Sequence, residues 1–213
     1  MSAPDAAGQR LKAGMAALGI DATPRQCEQL LAYLDLLLRW NSSYNLTAVR
    51  DPLEMVTRHL LDSLALLPHL PPAAHRAIDV GTGGGLPGVP LAILRDDVDM
   101  DLLDSNGKKT RFLFQVKTAL GLDNMAVRHA RAEAWQPEAV YDLVLSRAFA
   151  SLPDMVACCI QLCGAGTRML AMKGRVPDEE LAALQETVRL VGVTPLRVPG
   201  LEEERHLVEL ALA

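Results

Sequence analysis

The sequence predicts an α/β fold: a mostly parallel seven-stranded sheet with an antiparallel last strand, preceded by a helical N-terminal extension. Three observations carry this reading. From Arg76 onward, short apolar runs alternate with helix-length segments, the rhythm of a parallel sheet. The first third instead places apolar residues at three-to-four spacing behind helix-start signals. The chain ends on TPLRVPGLEEERHLVELALA, which reads as two strands joined by a tight, acidic connection, so the last strand should oppose its neighbour.

Taken in order, Thr23-Pro24-Arg25-Gln26 sets a capping Thr before a Pro at the first helical position, with Gln at the third, and CEQLLAYLDLLLRW follows with helical periodicity. NSSYNLTAVR reads as a polar loop, and Asp51-Pro52-Leu53-Glu54 repeats the capping device before MVTRHLLDSLALL. The prolines of PHLPPAAH stop that helix and make a short linker. Strands follow at 77–80 (AIDV), 100–104 (MDLLD), 125–129 (MAVRH), 141–146 (YDLVLS) and 167–173 (TRMLAMK). This divides the chain into a helical extension, 1–70, and a sheet domain, 76–213, packed as one unit.

The 213 residues, 50% hydrophobic and 22% charged, provide a sizeable core and exclude a disordered or low-complexity chain. Four cysteines are too few and too bunched for a disulfide framework, and no C-x-x-C pair nucleates a zinc site, so no metal is expected and the compartment should be reducing. The first residues lack the basic and apolar regions of a secretory leader, and no run approaches the ~18 apolar residues of a membrane span. A cytoplasmic location is the expectation, and nothing requires more than a monomer.

The richest chemical feature is Asp79-Val80-Gly81-Thr82-Gly83-Gly84-Gly85-Leu86-Pro87-Gly88, directly after the first strand and before a helix that Pro87 and Pro90 suit. A phosphate-cradling loop requires Lys then Ser or Thr after the glycines, where Val89-Pro90 stand. A dinucleotide loop can be laid on Gly83, Gly85 and Gly88, but Pro87 interrupts it and Asp79 would repel a pyrophosphate. The pattern acid-x-Gly-x-Gly-x-Gly suits S-adenosylmethionine, whose sulfonium and ammonium an acid attracts. Asp104, at the end of the second strand, stands where an acid accepts from both ribose hydroxyls. Without a ligand, the glycines would make a tight turn and Asp104 a helix cap.

At these residues the sequence resembles a known family along nearly its whole length, the bacterial small-subunit (16S) ribosomal RNA methyltransferase G family, also called glucose-inhibited division protein B. The matching segments are RWNSSYNLTAV, RHLLDSLAL, DVGTGGGLPGVPLAI, LLDSNGKKTRFL, HARAE, YDLVLSRAFASL, LAMKG and ERHLVEL. The resemblance implies a class I Rossmann-like methyltransferase that uses S-adenosylmethionine to methylate N7 of a guanine near the decoding region, on 16S rRNA or a small-subunit particle. It further implies that Gly81, Leu86, Ala132, Glu133 and Arg147 contact the cofactor. Thr82 and Gly84, where the family often has Ser and Ala, are small changes that leave this intact.

The residue chemistry agrees. The position after the fourth strand holds Ser146-Arg147-Ala148-Phe149 rather than the Asn- or Asp-Pro-Pro-aromatic of exocyclic-amine methylation, and C5 methylation would need a nucleophilic Cys. Guanine N7 has an in-plane lone pair and no proton to lose, so orientation and desolvation suffice without a general base. Arg147 serves the cofactor and the rim of the site, and Phe149 packs rather than stacks. Arg131, Lys173 and Arg205 match basic family positions at or near strand ends, where ligands of open α/β sheets bind; Arg205 reaches that edge only if the last strand is antiparallel. Cys158, Cys159 and Cys163 read as small buried residues, Cys159 and Cys163 sharing a helix face. His59 and Asp62 read as a packing pair ahead of a dyad, on a helix that covers the cofactor entrance. Lys108, Lys109 and Arg111 fit a solvated face or an RNA-facing patch equally.

Rival readings are methylation of a small molecule or protein, a nicotinamide-dependent oxidoreductase and a non-catalytic scaffold. The net charge of −5 speaks against a broad nucleic-acid-coating surface, but it resides in residues 178–213, with 3 basic and 8 acidic side chains. Residues 104–177 hold 10 basic against 6 acidic, so the crevice side is expected to be locally positive.

Overall fold

A computed structural model describes residues 3–147, 149 and 151–213. The extension contains α1 (Ala3–Ala17), α2 (Pro24–Tyr44), and a continuous helical run of α3 (Pro52–Met55), a π-helical stretch (Val56–Leu61) and α4 (Asp62–Leu64). The sheet domain then alternates β1 (Arg76–Val80), α5 (Gly88–Leu94), β2 (Asp99–Asp104), α6 (Gly107–Leu120), β3 (Met125–His129), β4 (Tyr141–Ser146), α7 (Leu152–Cys159), β5 (Cys163–Lys173), α8 (Asp178–Ala182), β6 (Val188–Pro195) and β7 (His206–Leu212).

Among the described residues the strands form one seven-stranded sheet in the order β3-β2-β1-β4-β5-β7-β6. The strands β1 to β5 pair in parallel, while β7 inserts antiparallel between β5 and β6. The fold class expected from the alternation is therefore present, antiparallel last strand included. Order reverses at β1, so its carboxyl end opens the crevice where ligands of such sheets bind.

Alternate residues along each strand feed opposite layers. Ala77, Leu102, Leu143, Leu145, Leu170 and Met172 share a core with α5, α6 and the N-terminal helices, including Leu11, Leu30, Tyr33, Leu37 and Leu61. Ile78, Leu103, Val144, Met169 and Ala171 face Leu152, Met155 and Val156 of α7. The extension is thus packed on the same sheet face as α5 and α6, continuous with their core.

The Thr23 cap forms as read: its hydroxyl accepts from the Gln26 backbone at 3.2 Å while the Gln26 carboxamide accepts from the Thr23 N–H at 2.9 Å. Four local expectations change. NSSYNLTAVR is not wholly a loop, because α2 continues through Tyr44 and stops at Asn45 in the left-handed conformation. The buried Asn41 side chain accepts from Thr47 N, so a polar residue closes the helix from within. The sixth strand starts at Val188 rather than Thr194, and 196–205 forms a long connection, not a tight turn. Cys163 opens β5 and shares no helix face with Cys159, since α7 ends at that residue. The cap of α6 is Asn106, which leaves the Asp104 carboxylate to other partners.

Candidate functional site

Asp79, buried near the end of β1, organises the glycine loop. Its Oδ2 accepts from the Thr82 hydroxyl at 2.6 Å and from Gly88 N at 2.8 Å, closing the loop at both ends. Gly81, Gly83 and Gly85 have φ of 69°, 62° and 94°, a region that favours glycine, which explains their spacing. The loop is pinned to β2 by Gly81 N to Leu103 O at 2.9 Å, and to α2 by the Tyr33 hydroxyl donating to Gly84 O at 2.6 Å. Tyr33 is wholly buried, and burial pushes its phenol far up, so it stays a neutral donor.

Asp104 faces the same loop from β2. Its Oδ2 accepts from Gly83 N at 2.9 Å and approaches the Lys109 ammonium at 3.5 Å, while Oδ1 accepts from Asn106 N at 2.8 Å. Burial raises the Asp79 carboxyl to about 6, against the opposing effects of Thr82, Gly88 and the Arg147 charge. Its Oδ1 is buried without a hydrogen-bond partner among the described residues. A Cβ built on Gly83 would meet nothing nearer than 3.9 Å, so the turn faces open space. Two acids, an open glycine turn and an orphaned carboxylate oxygen fit a cationic ligand with a ribose, and fit a pyrophosphate badly.

Beside this loop lies a cavity of about 430 Å³ walled by Arg58, His59, Asp62, Arg147, Lys173 and Arg205, among others. Strand register explains the meeting. Arg147 follows β4, Lys173 ends β5, and Lys173 pairs with His206, so antiparallel β7 delivers Arg205 to the same edge. Each cation is tied to an acid from another element. Arg147 Nη1 lies 3.0 Å from Asp62 Oδ2, Arg205 Nε 3.0 Å from Asp62 Oδ1, and Lys173 Nζ 2.8 Å from Glu180 Oε2; Arg58 pairs with Glu203.

His59 and Asp62 take different partners: His59 Nε2 sits 2.7 Å from the Thr47 hydroxyl, and Asp62 serves the two arginines. Burial lowers His59 to about 4, so it is uncharged at neutral pH. The pairing of Asp62 with two arginines is not visible in helical spacing, because they arrive from distant strands.

Of the remaining residues singled out from sequence, Ala132 and Glu133 form a short turn after β3. Ala132 O accepts from Gln161 at 2.7 Å, and the exposed Glu133 carboxylate accepts from Cys158 Sγ at 3.3 Å. Leu86 is buried in the core and its N–H bonds to Thr82 O. Arg131 is exposed at the start of that turn, away from the walls of the cavity that Arg147, Lys173 and Arg205 share. Phe149 is half-buried against the α7 layer; Ala148 lies outside the described residues. Among the described residues no group of three or more His, Cys, Asp or Glu is placed to hold a metal ion, and no helix is long and apolar enough to cross a membrane.

Comparison with solved structures finds the same architecture. The glycopeptide N-methyltransferase MtfA complexed with S-adenosyl-L-homocysteine superposes with a TM-score of 0.62 over 72% of this chain and 90% of that one, at 11% identity. The mitomycin 7-O-methyltransferase MmcR gives 0.58 over 90% of this chain and 69% of that one, at 15% identity. These likenesses establish the fold alone. Sequence comparison goes further. The ribosomal RNA small subunit methyltransferase G of Pseudomonas syringae pv. syringae (strain B728a) is 54% identical over 202 residues, 95% of this chain and 94% of that protein. The protein of that name from Ectopseudomonas mendocina (strain ymp) is 51% identical over 210 residues, 99% of this chain and 98% of the relative. The family model described as rRNA small subunit methyltransferase G matches residues 26–208, and the chain belongs to that family.

Proposed function

We propose that this protein transfers the methyl group of S-adenosylmethionine to N7 of a guanine in 16S rRNA of the small ribosomal subunit, near the decoding region. The observation that carries the reading is adjacency: the loop organised by Asp79 and Asp104 opens beside a cation-walled cavity at the same sheet edge, with Arg147 close enough to lower the Asp79 carboxyl. Family membership supplies the reaction class.

The cofactor supplies an electrophilic methyl group on a sulfonium. Asp79, Gly81, Gly83, Gly85, Leu86, Asp104, Ala132, Glu133 and Arg147 would hold it, with Asp104 toward the ribose. The rest is orientation by this chain. N7 carries no proton, so the neutral, buried His59 is not required as a base. Arg147 holds the cofactor carboxylate and the rim of the guanine site; a bidentate grip on guanine O6 and N7 would block the reacting atom. Lys173 and Arg205 contact RNA phosphates and set the approach, with Arg131 as an outlying contact.

The test is nucleoside mass spectrometry of 16S rRNA from cells lacking the gene. The expected result is loss of one N7-methylguanosine, restored by the wild-type protein; an undiminished signal at every site would refute the substrate.

A further inference from the structure

Asp62 is 2% exposed, and a carboxylate withdrawn from water is costly unless it is paired and hydrogen-bonded. One cation would neutralise it, yet it engages two. Oδ2 accepts from Arg147 Nη1 and Oδ1 from Arg205 Nε, both at 3.0 Å. The three residues come from three separate parts of the chain: the helical extension, the end of β4 and the start of β7. Among the described residues, Arg147 and Arg205 therefore share a fixed mutual placement only through this carboxylate and two backbone carbonyls, Arg58 O at 3.3 Å for Arg147 and Glu204 O at 2.8 Å for Arg205.

We infer that Asp62 is a positioning residue for methyl transfer: it sets the cofactor-side Arg147 and the RNA-side Arg205 at one distance from each other, coupling the two halves of the cavity. This rests on the methyl-transfer reading above. A guanidinium offers five N–H donors, more than the anchors named here use, so both forks keep donors for ligand. With Asp62 removed, two like charges held by carbonyls alone repel and drift apart. The helical extension thereby takes part in positioning the reactants, since it carries the carboxylate that the sheet domain needs.

The test is a double-mutant cycle on the full chain with two readouts. Calorimetry measures S-adenosylmethionine affinity without RNA, and methyl transfer to small-subunit particles gives kcat and KM. Asp62→Asn should lower kcat about a hundredfold, the cost of a misplacement near 1 Å. It should weaken cofactor binding in the wild-type background, and leave it unchanged in the Arg147→Ala background. Likewise its effect on RNA KM should vanish beside Arg205→Ala. Losses that multiply independently in both cycles, as a merely structural role gives, would overturn the inference. If Asp62→Asn does not fold, Asp62→Glu keeps the charge and displaces it by one methylene; wild-type kcat in that variant would equally overturn it. Failure of the wild-type protein to methylate rRNA would sink the substrate reading instead, and the calorimetric cycle would still decide the coupling.

Discussion

At the residue scale, the most consequential group in the glycine loop is Asp79, because its ionisation is opposed by burial and favoured by its partners. Its carboxyl moves from an ordinary 3.8 up to about 6, so the folded state binds the proton more tightly than the unfolded one. The stabilisation this gives is complete below the unfolded value and is lost as pH rises through about 6. At neutral pH the loop therefore holds an ionised acid at a cost that a bound cation offsets. We expect S-adenosylmethionine affinity to fall as pH drops below 6, approaching about tenfold per unit in the limit of one linked proton. S-adenosylhomocysteine, lacking the sulfonium charge, should respond less, and Asp79→Asn should flatten the profile. Calorimetric titration between pH 5 and 7.5 checks this, and equal profiles for the two ligands would remove the electrostatic role. The role of the acid was legible in the sequence because a phosphate-cradling loop lacked its Lys and a dinucleotide loop failed on Pro87 and on charge sign. Its burial and its orphaned oxygen were not, since they depend on α2 and α5 closing over β1.

At the scale of elements, the loop works by close approach. A Cβ on Gly88 would stand 2.2 Å from Leu102 Cδ2 and 2.9 Å from Asp79 Oδ2, so the start of α5 is seated directly on β2 and on the organising acid. Gly88→Ala should cost about 1 to 3 kcal/mol through overpacking, read as a lower midpoint in urea, and should weaken cofactor binding as Asp79 shifts. By contrast, Thr23→Ala removes the cap of α2 at about 1 kcal/mol and should leave cofactor affinity unchanged, because Thr23 is exposed at the N-terminus of that helix, nearly three turns before Tyr33. A cofactor-affinity loss matching that of Gly88→Ala would show that α2 stability, rather than the local seat, controls the loop. Local signals were reliable where a side chain closes its own turn, as at Thr23 and Asp51, and where the backbone needs a positive φ, as at Gly81, Gly83 and Gly85. They misled where tertiary contacts decide. Asn41 to Tyr44 look like a loop but stay helical because Asn41 is buried and Thr47 bonds to it. β6 is set by pairing with β7 from Val188 onward, a partnership that 188–193 alone does not announce.

At the scale of the whole molecule, the charge count along the chain and the charge map in space differ. The acidic C-terminal segment does not remain apart from the positive crevice: Glu180 meets Lys173 and Glu203 meets Arg58. Folding thus spends some of the acids that the sequence sets aside, and the crevice is less positive than its own segment suggests. The convergence of Arg147, Lys173 and Arg205 was legible once strand direction was read, whereas Asp62, which the two arginines share, lies 85 and 143 residues from them along the chain and was not. This architecture implies few phosphate contacts, made by the donors these cations keep beside their intramolecular acids. Exposed single-strand contacts lower log K by about 0.7 per neutralised phosphate for each unit of log salt. Three contacts would give a slope near −2, far shallower than a basic coating protein shows. We expect rRNA binding, measured by filter retention across a salt series, to follow such a slope. Lys173→Ala and Arg205→Ala should each flatten it by roughly one contact's worth, while Lys108→Ala should not. A steep slope that Lys108→Ala reduces would move the RNA surface from the crevice to the opening turn of α6.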